Sequence, residues 1–338
     1  MKKYKLLTIL LVLIILLSGC SNNLSSEDSS LEDENIEKVE TEDAIDVTIA
    51  GLKGPTSIGM IKLIDEKALN NNQYNVNYVA ESAPDSLTGK IINGEIQISS
   101  LPINLASIIF NKTEGEVQLL GLNTIGNLYI IGTEELNSIE DLKGKTIGMS
   151  AKGSTPDYAI NHILKQNNLG NEVDLDYVTD HATLAQSVIA EDTKIALLPE
   201  PFVTQVIMKN KNAKILLDLD DVWNTSTKGK SELITGCIIA NKKFAENNRE
   251  FIDAFMKQYE ESVKWVNQNP SDASILVEKN EIMPNANLVE KAIPNSGITF
   301  KYAIDAKEII QNFYQILFDS NPTSIGGSLP NEDFYYSK

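Results

Sequence analysis

Short apolar runs alternate with longer stretches of helical spacing from Ala44 to the end of the chain. The runs are rich in Val and Ile, and the stretches between them place apolar residues three and four positions apart. This alternation predicts parallel sheets with helices on both faces. The predicted strands are Asp46–Ala50, Tyr74–Val79, Ile96–Ser99, Val117–Leu122, Thr146–Met149, Val173–Val178, Lys194–Leu198 and Ala213–Leu217. The predicted helices between them are Pro55–Leu69, Asp85–Ile92, Pro102–Phe110, Pro156–Asn168, Thr183–Ala190 and Pro201–Lys209.

Two extended runs, Asn127–Ile131 and Glu232–Ala240, bracket the second part of this series. The simplest topology inserts a second lobe between two crossover strands and then returns the chain to the first lobe. The predicted fold class is therefore α/β, with two doubly wound lobes joined by a two-strand hinge. The predicted boundaries are residues 44–126 and 238–338 for lobe 1, and residues 127–237 with the hinge crossovers for lobe 2. Three later helices are predicted to cover lobe 1, namely Phe244–Asn267, Ser271–Val277 and Ala306–Phe318.

The first twenty residues have a different pattern, with lysines at the start and an apolar run from Leu6 to Leu17. A basic head and an apolar core of this length predict a signal peptide over residues 1–19, too short for a comfortable membrane span. The ending Leu-Ser-Gly-Cys20 resembles the lipobox of bacterial lipoproteins, which implies cleavage before Cys20 and lipid attachment to it. An uncleaved anchor or a chance cysteine is the alternative.

Residues 20–43 are rich in Ser, Asn, Glu and Asp and contain nine acidic residues against Lys38 alone. Such a segment cannot bury enough apolar surface to offset its ordering entropy, so it is predicted to be a disordered tether. Random-coil scaling gives it a reach on the order of 25–30 Å. The whole chain carries a net charge of −18, which makes nucleic acid and acidic lipid poor partners.

Few residues of the chain could carry out catalysis or bind a metal. Besides Cys20 the only cysteine is Cys237, which lies in an apolar run and fits a small buried filler better than a nucleophile. The chain has two histidines and no Cys/His spacing typical of zinc, and it has no G-x-S-x-G motif. The prediction is a protein that is not an enzyme and has no metal or cofactor.

Candidate binding residues lie in the turns after the strands, because ligands of doubly wound lobes meet the carboxyl ends of strands and the amino ends of helices. In the turn around Gly54 and Pro55, the amides near Thr56 and Ser57 would point into the cleft, unless this is an ordinary helix start. The turn Gly148–Pro156 has the glycine spacing of a P-loop but Ser154 in place of its lysine. Nucleotide hydrolysis is thus disfavoured, and a loop of exposed amides and hydroxyls remains, with little room for a Cβ at Gly153.

Three further side chains leave two interpretations open each. Prolines on both sides of Glu200 hold it at the end of a strand, where it could accept hydrogen bonds from a ligand or pair with a lysine. His181 could bind a ligand or cap a helix, and the capping role is the simpler one. Trp223, in a predicted loop from Asp221 to Gly229, could stack on a ligand or be buried against its lobe. His162, inside a helix, is predicted to face solvent.

Several of these segments resemble the solute-binding lipoproteins of ABC importers, of the nitrate/sulfonate/taurine and thiamine-precursor type. The segments are Ser100–Ala106, Asn111–Lys112, Asn123–Thr124, Leu142–Ile147 and Leu198–Phe202. The resemblance covers roughly Asp46 to Phe318 and implies a type II periplasmic-binding-protein fold that clamps a ligand between two lobes. By position it implies ligand contacts at Pro55, Thr56, Ser57, Leu101, Pro102, Asn104, Asn123, Thr124, Gly153, Ser154, Thr155, Glu200 and Gly236, with His181 and Trp223 as further candidates.

The function that this resemblance implies is capture of a small polar organic solute and its delivery to an ABC permease. The protein would be a monomer on the extracytoplasmic face of a bacterial membrane, held by lipid at Cys20. A sensory or surface lipoprotein with the same fold, or an enzyme descended from it, is the alternative. The solute itself stays open. The cleft turns offer no arginine for an anion, although Lys53 and Lys152 remain, and Glu200 favours a donor-rich or cationic ligand.

Overall fold

Two β-sheets organise the part of the chain that the computed structural model describes, which is residues 44–81, 84–150 and 152–337. The predicted signal peptide and tether lie outside these residues. The strands are β1 (Ile45–Leu52), β2 (Tyr74–Glu81), β3 (Ile98–Pro102), β4 (Val117–Ile125), β5 (Leu128–Gly132), β6 (Thr146–Ser150), β7 (Asp174–Val178), β8 (Ile195–Pro199), β9 (Lys214–Asp218), β10 (Ile234–Asn241) and β11 (Ile298–Tyr302).

Helices cover both sheets, as the alternating pattern predicts. They are α1 (Pro55–Ile58), α2 (Ile61–Asp65), α3 (Pro84–Ile92), α4 (Ile103–Lys112), α5 (Thr155–Gln166), α6 (His181–Ile189), α7 (Phe202–Lys209), α8 (Leu219–Ser226), α9 (Lys242–Asn247), α10 (Arg249–Gln268), α11 (Pro270–Lys279), α12 (Ala286–Ala292) and α13 (Lys307–Ser320). The predicted single helix over 55–69 is divided into α1 and α2 at Gly59, where a Cβ would lie 2.7 Å from the Tyr259 hydroxyl. No helix among the described residues is long and apolar enough to cross a membrane.

The larger sheet has the strand order β11-β4-β10-β3-β1-β2, and the smaller has β7-β6-β8-β5-β9. In each sheet three strands run parallel, namely β1 to β3 and β6 to β8. The strands that follow the crossovers, β5 and β10, pair antiparallel with both of their neighbours. The prediction of parallel sheets therefore holds for these triplets only, because a strand that enters from the other lobe runs in the opposite direction.

Two crossover segments, which lie next to each other, connect the two sheets. Residues 126–127 join β4 to β5, residues 227–233 join α8 to β10, and the Gly126 amide donates to the Leu233 carbonyl at 2.9 Å. Strand β10 pairs with β3 and β4 from Ile234 onward, so residues 234–237 lie in the larger sheet although the sequence boundary assigned them to lobe 2. An apolar β-branched run predicts a strand, but the pattern does not reveal which sheet takes it.

Buried apolar side chains form a core that continues from one lobe to the other. One cluster includes Leu101 and Ile103 beside the larger sheet, Ile147 and Ile160 beside the smaller, and Phe313 of α13. Trp223 of α8 packs on Phe313 with ring centroids 5.5 Å apart, and the Tyr314 hydroxyl donates to the Ile103 carbonyl at 2.7 Å. Helix α13 therefore joins the two lobes on one side of the cleft.

Candidate functional site

A cavity of about 500 Å³ lies between the lobes, at the carboxyl ends of strands from both sheets. The β1–α1 turn and Pro102 contribute from the larger sheet, and the turns before α5, α6 and α7 contribute from the smaller. The first crossover, the adjoining ends of β5 and β10 and the loop before α12 supply the remaining wall. Seven of the residues predicted from the sequence line the cavity: Pro55, Thr56, Pro102, Ser154, Thr155, His181 and Glu200.

Four predicted contacts lie beneath the cavity wall instead of lining it. Asn123 donates from Nδ2 to the Thr56 carbonyl at 3.1 Å and to the Ser100 hydroxyl at 2.6 Å, and both Asn123 and Thr124 are fully buried. The Ser57 hydroxyl donates to the Leu52 carbonyl at 2.5 Å. Gly236 is the fourth, since a Cβ there would come within 2.5 Å of Asn123 Oδ1. This polar network fixes the backbone that carries Thr56.

Leu101 and Asn104 also lie away from the cavity lining. Successive strand residues point to opposite faces, so Ser100 joins the polar network while Leu101 is buried in the core. Asn104 accepts a hydrogen bond at Oδ1 from the Thr155 hydroxyl at 3.1 Å. That bond links the first turn of α4 in the larger lobe directly to the first turn of α5 in the smaller one.

The loop before α5 needs glycine at position 153 for a reason other than the predicted lack of room. Gly153 has φ +80°, and a Cβ built there would meet only the Tyr158 hydroxyl, at 3.8 Å. Its amide donates to Asp157 Oδ2 at 2.7 Å, which holds the turn. The constraint is therefore the left-handed backbone, which residues with a Cβ adopt at a cost.

We predict that Gly153→Ala lowers the free energy of unfolding by about 1–2 kcal/mol, the cost of a left-handed residue with a Cβ. Gly153→Asn should lose less, because asparagine tolerates this region. Urea denaturation measures both. Gly89→Ala is the matched control: Gly89 is exposed within α3 with open space around it, so alanine should raise stability by about 0.5–1 kcal/mol. Equal effects of alanine at the two positions would contradict the prediction.

His181 is the first residue of α6 and is held by its neighbour in space. Its Nδ1 lies 2.5 Å from the Ser150 hydroxyl, and its ring packs on Phe202 with centroids 5.5 Å apart. Burial lowers the pKa of His181 to about 4, against the opposing charge of Asp180. Asp180, not His181, caps the helix, by accepting from the Thr183 amide at 2.7 Å. His181 therefore presents a neutral imidazole to the cavity at neutral pH.

Glu200 is 1% exposed and is bound by the helix that follows it. Its Oε2 accepts from the Thr204 amide at 3.0 Å, and its Oε1 accepts from the Thr204 hydroxyl at 2.9 Å. Burial raises the pKa of Glu200 to about 7, although the two Thr204 bonds favour the charged form. No lysine among the described residues forms an ion pair with it, so the structure does not show the lysine pair that was one of its two alternatives. The carboxyl group lines the cavity and caps α7 at once.

Replacing Glu200 with Gln should change how stability depends on pH. A carboxyl group whose pKa is raised on folding contributes stability at low pH and loses it as the pH rises through about 7. His181, whose pKa is lowered on folding, makes stability rise with pH below about pH 6.5. Parent and variant share His181, so its contribution cancels when their stabilities are subtracted. We therefore expect the difference in unfolding free energy, variant minus parent, to rise by roughly 2–3 kcal/mol from about pH 5 to about pH 8.

Urea denaturation at several pH values measures that difference. The loss of one acceptor for Thr204 shifts the variant's curve by a constant and leaves its slope alone. Glu135→Gln is the control, because Glu135 is exposed and pairs with Lys214 at the surface, at 2.6 Å. A parallel pair of curves for parent and Glu200→Gln would show that Glu200 keeps its ordinary pKa.

Trp223 and His162 occupy positions that differ from their predictions. Trp223 lies in α8 rather than in a loop, and it is fully buried between His162 and Phe313. It does not line the cavity, so of the two alternatives, stacking on a ligand or burial against its lobe, the structure shows burial. His162 is half-buried against the Trp223 ring, 5.2 Å between centroids, instead of facing solvent. Burial accordingly lowers the pKa of His162.

The cavity also includes residues that the sequence did not indicate as contacts. Asn127 comes from the first crossover, Leu128 from β5, Thr235 from β10 and Met283 from the loop before α12. Asn127 falls in the predicted hinge run, and a polar residue at the head of an apolar run is the one signal that marked it. Met283 has no such signal, because its loop reaches the cavity through the packing of α11 and α12.

Comparison with known proteins adds the fold. A family model described as NMT1/THI5 like matches residues 118–273, and curated proteins give no match. An ABC transporter from Parabacteroides distasonis is 22% identical, with 88% of this chain and 100% of that chain covered at a TM-score of 0.75. The periplasmic aliphatic sulphonate binding protein SsuA from Escherichia coli is 15% identical, with 86% and 92% covered at a TM-score of 0.70. This chain has the type II periplasmic-binding-protein fold.

A third similar structure is the periplasmic nitrate-binding protein NrtA from Synechocystis PCC 6803, at 12% identity, with 83% of this chain and 84% of that chain covered and a TM-score of 0.60. The predicted fold class and the resemblance to ABC-importer solute-binding proteins are thereby confirmed. In the type II fold of this chain, the cavity lies where the two lobes and the first crossover meet.

Proposed function

We propose that this chain is the solute-binding component of an ABC importer, which takes up a small organic molecule between its lobes and delivers it to the permease. The observation that carries the proposal is the interlobe cavity, whose wall comes from both lobes and from the first crossover between them. A ligand held there contacts both lobes only when they approach each other, so binding favours the closed arrangement. The hydrogen bond between Thr155 and Asn104 joins the two lobes without involving the ligand, which supports the same arrangement.

Binding without catalysis is the simplest chemistry for this cavity. Its least exposed titratable groups are Glu200, which is buried, and His181, which is half-buried. His181 is held by Ser150, and Glu200 is held by Thr204. No group of His, Cys, Asp and Glu among the described residues could hold a metal ion. The similar structures named above are binding proteins or a transporter, which supports the same role.

Native mass spectrometry of the mature protein after exposure to a metabolite extract tests the proposal. We expect one small molecule to bind each monomer, and we expect that ligand to stimulate ATP hydrolysis by the reconstituted permease. If no component of the extract binds, the receptor role is overturned. Binding without stimulation would favour the sensory alternative.

The membrane anchor is the second part of the proposal. Cys20 carries the lipid, and the acidic segment after it leaves the folded part at the extracytoplasmic surface. Cells expressing the parent protein should incorporate labelled palmitate into it and retain it in the membrane fraction. Cys20→Ala should abolish both, while the melting temperature stays unchanged. Labelling of the variant would place the lipid elsewhere.

A further inference from the structure

We infer that the cavity takes an uncharged, mainly apolar organic molecule that presents a hydrogen-bond donor to Asn127. The inference rests on the proposed function and narrows it to a ligand class. It also departs from the polar or cationic solute that the sequence favours.

Acidic side chains already occupy the helix ends that an anion would use. Helices α5, α6 and α7 all begin near the cavity, and a helix N-terminus attracts negative charge. Asp157 accepts the Gly153 amide before α5 at 2.7 Å, Asp180 caps α6 and Glu200 caps α7. An anionic ligand would therefore approach three helix ends that carry their own carboxylates.

The basic groups near the cavity do not compensate for these acids. Lys53 is exposed at the rim, and Lys152 lies over the Tyr177 ring, 5.0 Å from its centroid, without lining the cavity. The single arginine of the chain, Arg249, is in α10 and is not part of the wall. A sulfonate or carboxylate would thus lose its hydration without gaining a buried cation.

A cationic ligand lacks a dedicated partner as well. Glu200 uses both oxygens to accept from Thr204, and burial raises its pKa to about 7, so its negative charge is incomplete at neutral pH. Asp180 is exposed and bound to the Thr183 amide. A buried ammonium group would have to draw on carboxylates that already cap helices. An uncharged ligand avoids this desolvation cost.

Apolar side chains form much of the wall. Leu52, Leu128, Phe202 and Met283 line the cavity together with prolines of the turns. Sites for small organic ligands typically combine such a wall with a few placed polar groups. Burial of apolar ligand surface against this wall would favour binding in proportion to the area removed from water.

Two residues that line the cavity each have a buried polar atom without a hydrogen-bond partner among the described residues, and these are the atoms that a polar group of the ligand would pair. Asn127 is 6% exposed, and its Oδ1 is buried without a donor. Ser154 is the residue before α5, but its buried hydroxyl does not cap that helix. Buried polar groups are costly when unpaired, so a ligand that pairs them gains affinity.

Asn127 is held in place by its backbone. Its carbonyl accepts from the Glu200 amide at 3.0 Å, and it lies in the crossover between β4 and β5. A carbonyl oxygen of a side-chain amide only accepts, so the ligand must donate. A contact at this position would also join ligand recognition to the hinge.

Calorimetry with matched probes tests the ligand class on the mature protein. The probes are phenyl and naphthyl compounds that carry a carboxamide, a methyl ester, a sulfonate or an aminomethyl group. We expect the carboxamides to bind most tightly, about tenfold better than the methyl esters, which lack a donor. Equal or tighter binding of sulfonates or amines, or no binding of either carboxamide, would overturn the inference.

A pair of asparagine variants separates recognition from folding. Asn127→Ala should weaken carboxamide binding to the level of the methyl esters and leave the melting temperature of the free protein nearly unchanged. Asn210→Ala is the control: Asn210 is also 6% exposed, but it donates to the Val188 carbonyl at 3.1 Å and accepts from the Asn212 amide at 2.9 Å, away from the cavity. It should melt earlier and bind normally. Unchanged probe binding by Asn127→Ala would refute the assigned contact.

The metabolite-extract measurement distinguishes this inference from the proposed function. A bound neutral molecule with an N–H or O–H group supports both. A bound sulfonate, carboxylate or amine refutes the ligand class and leaves the receptor role standing. Absence of any bound solute refutes the receptor role itself.

Discussion

Trp223→Ala is expected to lower the free energy of unfolding by about 3–5 kcal/mol, the usual cost of removing a fully buried large aromatic side chain. Trp223 is 0% exposed and packs between His162 and Phe313 with ring centroids 5.2 and 5.5 Å away. Phe313 belongs to α13, which joins the two lobes. The void left by the alanine would therefore weaken the packing between the lobes as well as the packing of the core. Urea denaturation followed by circular dichroism measures the loss.

The other tryptophan is a matched control for this effect. Trp265 of α10 is only partly buried, with Lys62 over its ring at 5.3 Å. Trp265→Ala should cost less than half as much, because less surface is returned to water. Small-angle scattering should also show a larger radius for Trp223→Ala than for Trp265→Ala. Equal losses of stability and equal radii would mean that Trp223 does not join the lobes.

Gly236→Val is expected to disrupt the lobe-1 side of the site. The first side-chain carbon would lie 2.5 Å from Asn123 Oδ1 and 2.9 Å from both Thr124 Oγ1 and Thr56 Cγ2. Overpacking of this kind typically costs about 1–3 kcal/mol. The displaced Asn123 would also release the Thr56 carbonyl, so carboxamide probes should bind at least about tenfold more weakly.

Thermal melting and calorimetry measure the two effects of Gly236→Val. Gly170→Ala is the control, since a Cβ there would meet nothing closer than 3.9 Å and Gly170 is exposed. It should leave both melting temperature and probe affinity unchanged. Normal probe binding by Gly236→Val would show that the buried polar network does not position Thr56.

The site was only partly predictable from the turns. Those before α1, α5 and α7 do reach the cavity, because the carboxyl ends of parallel strands lie at one edge of each sheet. Within each turn, however, the side chains divide between the cavity and the layer beneath it. Thr56 lines the cavity while the next residue, Ser57, bonds to the Leu52 carbonyl. The direction in which each side chain of a turn points depends on backbone angles, and residue types alone do not specify those angles.

Local periodicity was enough to establish two α/β lobes, a crossover between them and the positions of the main turns, because strand and helix patterns depend on neighbouring residues alone. Contacts between distant residues decided the rest. The pairing of β10 with β3 and β4, the packing of Trp223 on Phe313 and the place of Asn127 in the cavity wall all involve partners far away in the chain. Even Glu200, bound to nearby Thr204, owes its raised pKa to burial by the whole fold. Burial and pairing across such separations arise only when the tertiary structure forms.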